Sequence, residues 1–177
     1  SGTFGDIGCF SAHPLKNLNA MGDGGYLITN NINYYKKIKD LSNHGMTNRN
    51  LVKNFGYVSR MDNLQAAILN FKLKNLNAVI LRRRENFLTY KKHLSKKIFF
   101  PLEKNNEFNT YHTFVIQVNK RDKLKKYLFK NKVNTSIHYP IPIHLQPAAK
   151  KLGYKRGDFP KTESQSKKII TLPIHQD

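Results

Sequence analysis

The sequence has a single cysteine, no tryptophan, few acidic residues and no long uninterrupted apolar run. Because Cys9 has no second cysteine to pair with, an internal disulfide is excluded, and this favours a reducing compartment and a cytoplasmic location. No apolar stretch approaches the roughly 18 residues that cross a bilayer, so we predict no membrane partner. The chain opens on Ser-Gly-Thr directly before an apolar run, and we therefore expect an upstream portion to precede it.

Acidic residues number 11 against 31 lysines and arginines, which gives a formal net charge of +20. Such an excess is often found in proteins that bind nucleic acid or membrane surfaces. Here the basic residues are dispersed, and the dense run Arg82-Arg83-Arg84 lies in a segment with helical periodicity, where it is expected to form a solvated face. We predict no nucleic-acid partner, and a basic polyanion-binding module stays open as an alternative function.

At 177 residues the chain is long enough to bury a core, and its patterns predict a mixed α/β fold in one or two domains. The first half predicts short strands at 7–10 and 26–29, a helix over 32–41 capped by Asn30 or Asn31, and one long helix that begins at a capping box, Ser59 with Asp62, and runs to about residue 97. The second half predicts strands at 111–118 and 133–137 and helices at 120–131, at 146–152 and behind Pro160, which is typical of a small α+β domain.

The segment Ser11-Ala12-His13-Pro14-Leu15-Lys16 follows the first predicted strand and carries the candidate chemistry. Pro14 fixes its own φ and restricts His13, so the loop is stiffer than most. Ser11, five positions before Lys16, offers a hydroxyl that could hold a phosphate. An amine and such a hydroxyl on one loop suggest a phosphate-bearing aldehyde cofactor bound through a Schiff base, although a solvated surface lysine is the alternative.

Blocks of sequence along nearly the whole chain resemble one enzyme family. They are Gly5–Leu18 with Gly22–Gly25, Asn43–Gly45, Gly56–Ala67, His138–Pro140 with His144–Pro147, and Pro160–Glu163 through Leu172-Pro173. In this order they resemble the DegT/StrS-type sugar aminotransferases, which are pyridoxal-phosphate-dependent enzymes with an aspartate aminotransferase-like fold. The resemblance implies the C-terminal half of such an enzyme. Residues 1–80 would belong to the large cofactor-binding domain and the start of the linking helix, and residues 81–177 would form the small C-terminal domain.

The resemblance also implies an activity. The enzyme would transfer an amino group from glutamate to a nucleotide-linked keto-sugar through a pyridoxal phosphate Schiff base on Lys16, in polysaccharide biosynthesis. It would be a homodimer with shared active sites. The aspartate that pairs with the pyridinium nitrogen lies upstream of the matching region in the family. The resemblance therefore implies that this stretch is an incomplete enzyme, and a non-catalytic fragment is the alternative.

The family motifs assign roles residue by residue. Lys16 would be the catalytic lysine, and Ser11 would contact the cofactor phosphate. Arg60 would contact the cofactor or pack at a helix start, and His13 and His144 would line the substrate side of the pocket. The family usually has asparagine where this chain has Val58, so the contact to the neighbouring subunit's cofactor would be lost or supplied by Asn54 or Tyr57. No cysteine or carboxylate cluster accompanies the histidines, so no metal site is predicted.

Overall fold

The computed structural model describes residues 2–177, and the chain divides into two compact units, Ser1–Ala78 and Val79–Asp177. The sequence predicts a boundary between residues 80 and 81. Whether the two units correspond to the end of a large cofactor domain and to a small C-terminal domain stays a prediction.

The first unit begins with an antiparallel hairpin of strands β1 (Gly8–Ser11) and β2 (Gly25–Ile28), close to the two predicted strands. Gly8 lies opposite Ile28, and Ser11 lies opposite Gly25. A side chain at Gly25 would meet the backbone oxygen of Phe10 at 2.7 Å, so glycine is needed where the second strand starts. The hairpin therefore places Ser11 at the exit of its first strand.

Helix α1 (Ile32–Ser42) confirms the predicted helix and decides between its two candidate caps. The Asn31 side-chain oxygen accepts the N–H groups of Asn33 and Tyr34, at 2.9 and 3.3 Å, and so satisfies two donors of the first turn. The helix is followed by a short antiparallel pair, β3 (Met46–Asn48) and β4 (Leu51–Val52).

The predicted capping box at Ser59 is wrong. Helix α2 (Asn63–Leu73) begins later and has Asp62 as its N-cap residue, without a side-chain capping bond. The backbone around Ser59 pairs with the end of α1 instead. The N–H of Ser59 donates to the carbonyl of Ser42 at 2.9 Å, and the neighbouring Val58 forms a bridge with Asn43. The chain is therefore still extended at the position where the sequence predicts a helix start.

The prediction of a single long helix is also wrong, because α2 ends at Leu73 and a separate helix, α3 (Leu76–His93), follows. At the break, the N–H of Lys74 donates to Phe71 and that of Asn75 donates to Lys72, at 3.3 and 3.0 Å. These bonds span three residues instead of four, so the helix tightens into a turn there.

The second unit is built on strands β5 (Phe114–Gln117) and β6 (Ile169–Leu172), which pair antiparallel. Ile116 and Ile170 lie opposite each other in this ladder and are both fully buried. The helices of this unit are α4 (Arg121–Lys130), α5 (Pro160–Lys168) and two 3₁₀ helices, Ile143–Leu145 and Pro147–Leu152.

The core of the second unit is rich in aromatic residues. Its buried members are Phe87, Tyr111, Phe114, Ile116, Ile170, Leu172 and Ile174. The Phe87 ring stacks on Tyr111 at 4.1 Å between centroids and meets Phe114 edge-on at 5.6 Å.

The prediction of a strand at 133–137 is wrong, because that segment makes a single bridge, from Ser136 to Thr171. Across residues 2–177, no helix is both long and apolar enough to cross a membrane.

Candidate active site

The segment between β1 and β2, residues 12–24, forms a closed loop that we call the lysine loop. The N–H of Ala12 donates to Gly24, and the N–H of Ala20 donates to Ala12, both at 2.8 Å. Within the loop, the N–H of Lys16 donates to the carbonyl of His13 at 2.8 Å and closes a tight turn. The Lys16 side chain is half-buried. The backbone at the base of the loop is thus fixed, and Lys16 is carried on its turn.

The base of the lysine loop is packed against α2. Ala12 and Ala20 are buried together with Leu69 of that helix, and Met61 packs on the same cluster. A side chain at Gly24 would come to 3.5 Å from both Ala20 and Met61. These are ordinary van der Waals distances, so the base of the loop is closely packed against its neighbours.

Two predicted site residues flank the loop turn and are hydrogen-bonded to it. Ser11 is exposed at the end of β1, and its Oγ accepts the N–H of His13 at 3.3 Å. The His13 Nδ1 accepts the N–H of Leu15 at 3.1 Å, and its Nε2 lies 3.8 Å from the Asp23 carboxylate. Ser11, His13 and Lys16 therefore belong to one ordered turn.

Asn54 and Arg60 lie outside the lysine loop, in the exposed chain between β4 and α2. The N–H of Asn54 donates to the carbonyl of Gly45 at 3.4 Å, and Gly45 has a φ of +73°. A side chain at Gly45 would collide with the Asn54 carbonyl oxygen, so the two segments touch through backbone atoms. The predicted contacts of Asn54 and Arg60 with a cofactor stay predictions.

His144 is placed in the second unit, where it is buried against the start of α5. Its Nε2 lies 3.1 Å from the Oε1 of Glu163, and its ring centroid lies 4.7 Å from that of Phe159. The N–H of Gly157 donates to the same Glu163 oxygen at 2.7 Å, and this bond, together with His144, lowers the pKa of the Glu163 carboxyl. The role of His144 on the substrate side stays a prediction, alongside this structural contact.

Sequence reasoning missed the side chains of α2 that hold the lysine loop. The Gln65 Oε1 accepts the N–H of Met21 at 2.9 Å, and the Lys72 Nζ donates to both oxygens of Asn19 at 2.8 Å. Two apolar residues of this helix that lie on one face at helical spacing, Leu64 and Phe71, are 73% and 68% exposed. The face that packs on the loop is the neighbouring one, which carries Gln65, Leu69 and Lys72, and this mixture of polar and apolar residues gives no sequence signal for it.

The lysine loop carries the two functional groups that could bind a phosphate-bearing aldehyde. Lys16 supplies a primary amine, and Ser11 supplies an exposed hydroxyl on the same hydrogen-bonded turn. In residues 2–177, no group of three or more His, Cys, Asp or Glu side chains is arranged to hold a metal ion.

Comparison with known proteins identifies the class. Residues 1–177 match the DegT/DnrJ/EryC1/StrS aminotransferase family, and the chain therefore belongs to it. It is 38% identical to a dTDP-3-amino-3,6-dideoxy-alpha-D-galactopyranose transaminase of Aneurinibacillus thermoaerophilus and 35% identical to a UDP-N-acetyl-3-dehydro-alpha-D-glucosamine 3-aminotransferase of Acidithiobacillus ferrooxidans. Each match covers 98% of this chain and 47% of the relative. The chain thus spans about half the length of the curated relatives it matches.

Solved structures confirm the predicted α/β fold of an aminotransferase. The crystal structure of DesV from S. venezuelae superposes with a TM-score of 0.91 at 30% identity, over 97% of this chain and 47% of that one. NtdA from Bacillus subtilis, solved with the bound cofactor PMP, gives a TM-score of 0.84 at 30% identity, over 98% of this chain and 42% of that one.

Proposed function

We propose that this chain is part of a pyridoxal-phosphate-dependent enzyme that moves an amino group from glutamate to a nucleotide-linked keto-sugar. The observation that carries the proposal is the lysine loop, where a single hydrogen-bonded turn carries both Ser11 and Lys16 in a member of an aminotransferase family. The names of two relatives, a dTDP-sugar transaminase and a UDP-sugar aminotransferase, support a nucleotide-linked substrate.

In this proposal Lys16 holds the cofactor covalently. Its Nζ would hold pyridoxal phosphate through a C=N bond to the aldehyde carbon, with the aldehyde oxygen released as water. Pyridoxal phosphate, when bound, would supply the electron sink for the carbon that loses a proton. The Lys16 amine, when it is not bonded to the cofactor, would carry that proton between carbon centres.

The other residues of the proposed site bind and orient. The Ser11 hydroxyl binds the phosphate, and Arg60 and Asn54 contribute further cofactor contacts. His13 faces the substrate, and its ring is oriented because Nδ1 is engaged by the Leu15 N–H. His144 is assigned to the substrate side by its motif position, with Glu163 fixing the orientation of its ring.

We also propose a cytoplasmic homodimer with shared active sites. The exposed apolar side chains of Phe55, Tyr57 and Val58, which are 100%, 74% and 66% exposed, support a partner surface near Asn54. Because valine has no hydrogen-bonding group, Asn54 or Tyr57 would supply the contact to the partner's cofactor. Sedimentation of the complete gene product at several concentrations tests the dimer, and a monomer at all of them would refute it.

The lysine assignment is tested by trapping the cofactor. The complete gene product is mixed with pyridoxal phosphate, the absorption spectrum is recorded, and borohydride then reduces the C=N bond to a stable amine. We expect a visible band and a pyridoxyl mass increase on the peptide that contains Lys16, both lost in Lys16→Ala and retained in Lys53→Ala, an exposed lysine outside the loop.

The same experiment separates the enzyme from the alternative, a basic polyanion-binding module. That module would show no band and no labelled Lys16, and it would bind a polyanion such as heparin with steep salt dependence. Transfer of the nitrogen of ¹⁵N-glutamate to a nucleotide-linked keto-sugar then tests the donor.

A further inference from the structure

We propose that Lys72 is a positioning residue, which fixes the lysine loop through Asn19 and so sets the placement of Lys16. This inference rests on the proposed function of Lys16. Lys72 does not touch the cofactor in this proposal, and it acts through the backbone that carries the catalytic amine.

Lys72 makes two hydrogen bonds to the same residue of the loop. The Lys72 Nζ donates to the backbone carbonyl and to the side-chain Oδ1 of Asn19, both at 2.8 Å, and the contact is partly buried. Hydrogen bonds from a charged donor are shorter and stronger than neutral ones, and partial burial strengthens them further. The ammonium therefore holds both oxygens of one residue at once.

Asn19 needs such support because its backbone has a φ of +37°, in the left-handed region. Residues other than glycine rarely adopt this region, although asparagine tolerates it better than most. The next residue, Ala20, donates its N–H to Ala12 and closes the loop. If Asn19 relaxed to a negative φ, the direction of the chain would change immediately before this closing bond.

A second polar side chain of α2 acts on the other side of Ala20. The Gln65 Oε1 accepts the N–H of Met21 at 2.9 Å. Between the two contacts, Leu69 packs against Ala12 and Ala20 in the buried cluster. Gln65, Leu69 and Lys72 are spaced by four and three residues, which places them on one helical face. That face of α2 therefore contacts the three consecutive loop residues 19–21, and Lys72 is the charged residue on it.

Lys16 lies three residues before Asn19, on the part of the loop between the Ala12 and Ala20 closure points. Its backbone position is therefore set by the turn at His13 on one side and by Asn19 on the other. Without the Lys72 contact, the loop would sample open conformations in which the backbone of Lys16 is no longer held in one place.

The test uses Lys72→Met in the complete gene product, because methionine keeps the length and helix propensity of the side chain and removes its donors. The first readout needs no cofactor: hydrogen exchange of the 13–24 peptide, including the Ala20 amide. The second is the rate at which pyridoxal phosphate is trapped on Lys16 by borohydride. We expect both to change by about tenfold, faster for exchange and slower for trapping, because charged hydrogen bonds are lost.

Three further variants make the test specific. Lys74→Met changes an exposed lysine two residues further on, in the turn that follows α2, and it should behave as the wild type in both readouts. Lys72→Arg keeps a charged donor and should restore most of the trapping rate. Asn19→Gly, which tolerates a positive φ and loses only the Oδ1 contact, should give an intermediate effect and covers the case in which Lys72→Met does not fold.

The outcomes separate the two proposals. Wild-type trapping on Lys16 with an unchanged rate in Lys72→Met would overturn the positioning role and leave the proposed function standing. An absence of trapping in the wild type would overturn the proposed function, and hydrogen exchange would still report whether Lys72 fixes the loop. A lower unfolding midpoint without a local change in the loop would show that Lys72 stabilises the fold only, and would also overturn the inference.

Discussion

His144 and Glu163 form a buried pair in the second unit, with 3.1 Å between Nε2 and Oε1 and with side chains that are 8% and 10% exposed. The Glu163 carboxylate also accepts the N–H of Gly157 at 2.7 Å. One carboxylate thus joins the first turn of α5, the turn before it and the 3₁₀ helix that contains His144. This contact orders the histidine independently of any ligand.

We predict that His144→Ala lowers the unfolding midpoint, because Glu163 would keep its burial and lose one of its partners. Thermal unfolding of the complete gene product measures the change, and Lys150→Ala, an exposed residue nearby, is the control. A strong rise in KM for the sugar with an unchanged midpoint would contradict this prediction and would place the imidazole in contact with substrate.

The fold could be predicted from the sequence where local signals decide the structure. The hairpin, α1, α4 and α5 follow from apolar runs, from the asparagine cap and from Pro160 at a helix start. The break at Lys74 could not be predicted, because no glycine or proline marks it. The composition of the 133–137 segment predicts a strand because its β propensity is high, but β6 pairs with it at only one bridge, from Ser136 to Thr171.

In the candidate site, too, contacts between residues close in sequence could be predicted and contacts between distant residues could not. Ser11, His13 and Lys16 share one turn because they are close in sequence, and their roles toward a cofactor and a substrate stay predictions. The support from Lys72 could not be predicted, because it lies 53 residues from Asn19 and a lysine in so basic a chain is normally solvated. Its contact depends on which face of α2 packs on the loop, which the tertiary structure alone decides.

The cap of α1 gives a test with a matched control. Asn31→Ala should cost about 1 kcal/mol of unfolding free energy, because two N–H groups of the first turn lose their acceptor. Asn30→Ala removes the adjacent, exposed asparagine and should leave stability nearly unchanged. Denaturant titration measures both, and equal losses in the two variants would show that the cap is not Asn31.

The lowered pKa of the Glu103 carboxyl should make the stability of the fold depend on pH. Hydrogen bonds from the Arg84 guanidinium, at 2.8 and 2.9 Å, and from the Asn109 N–H lower the pKa of Glu103 to about 2, from a usual value of 4.5. Between these pH values the unfolded chain binds the proton and the folded chain does not, so stability falls as pH decreases through this window. Glu103→Gln should reduce that slope.

The slope should not vanish in Glu103→Gln, because the pKa of Glu163 is also lowered and contributes in the same direction. Glu85→Gln, which removes an exposed carboxylate from the helix that carries Arg84, controls for the loss of one negative charge. Unfolding midpoints in denaturant at several pH values from 5.5 down to about 2.5 give the slopes. Identical slopes in the wild type and Glu103→Gln would refute the assignment.

Truncating a buried side chain at the centre of the β5–β6 ladder should lower the free energy of unfolding. Ile170 is fully buried opposite Ile116, so Ile170→Ala should cost about 2–5 kcal/mol of unfolding free energy through lost burial and a residual cavity. Phe129→Ala removes a larger apolar side chain that is 71% exposed, and it should cost no more than about 0.5 kcal/mol. Similar losses in the two variants would mean that the core is not centred on this pair.

The phosphate role of Ser11 can be separated from the chemistry of Lys16 by comparing two aldehydes. Ser11→Ala should weaken the binding of pyridoxal phosphate about tenfold, since a hydrogen bond to a charged group is lost. It should leave the binding of pyridoxal, which lacks the phosphate, unchanged, because the Lys16 amine is still present. Equilibrium dialysis followed by borohydride trapping measures both affinities in the complete gene product. Equal weakening of the two aldehydes would mean that Ser11 acts on the turn itself, through the His13 N–H that its hydroxyl accepts at 3.3 Å, and not on the phosphate.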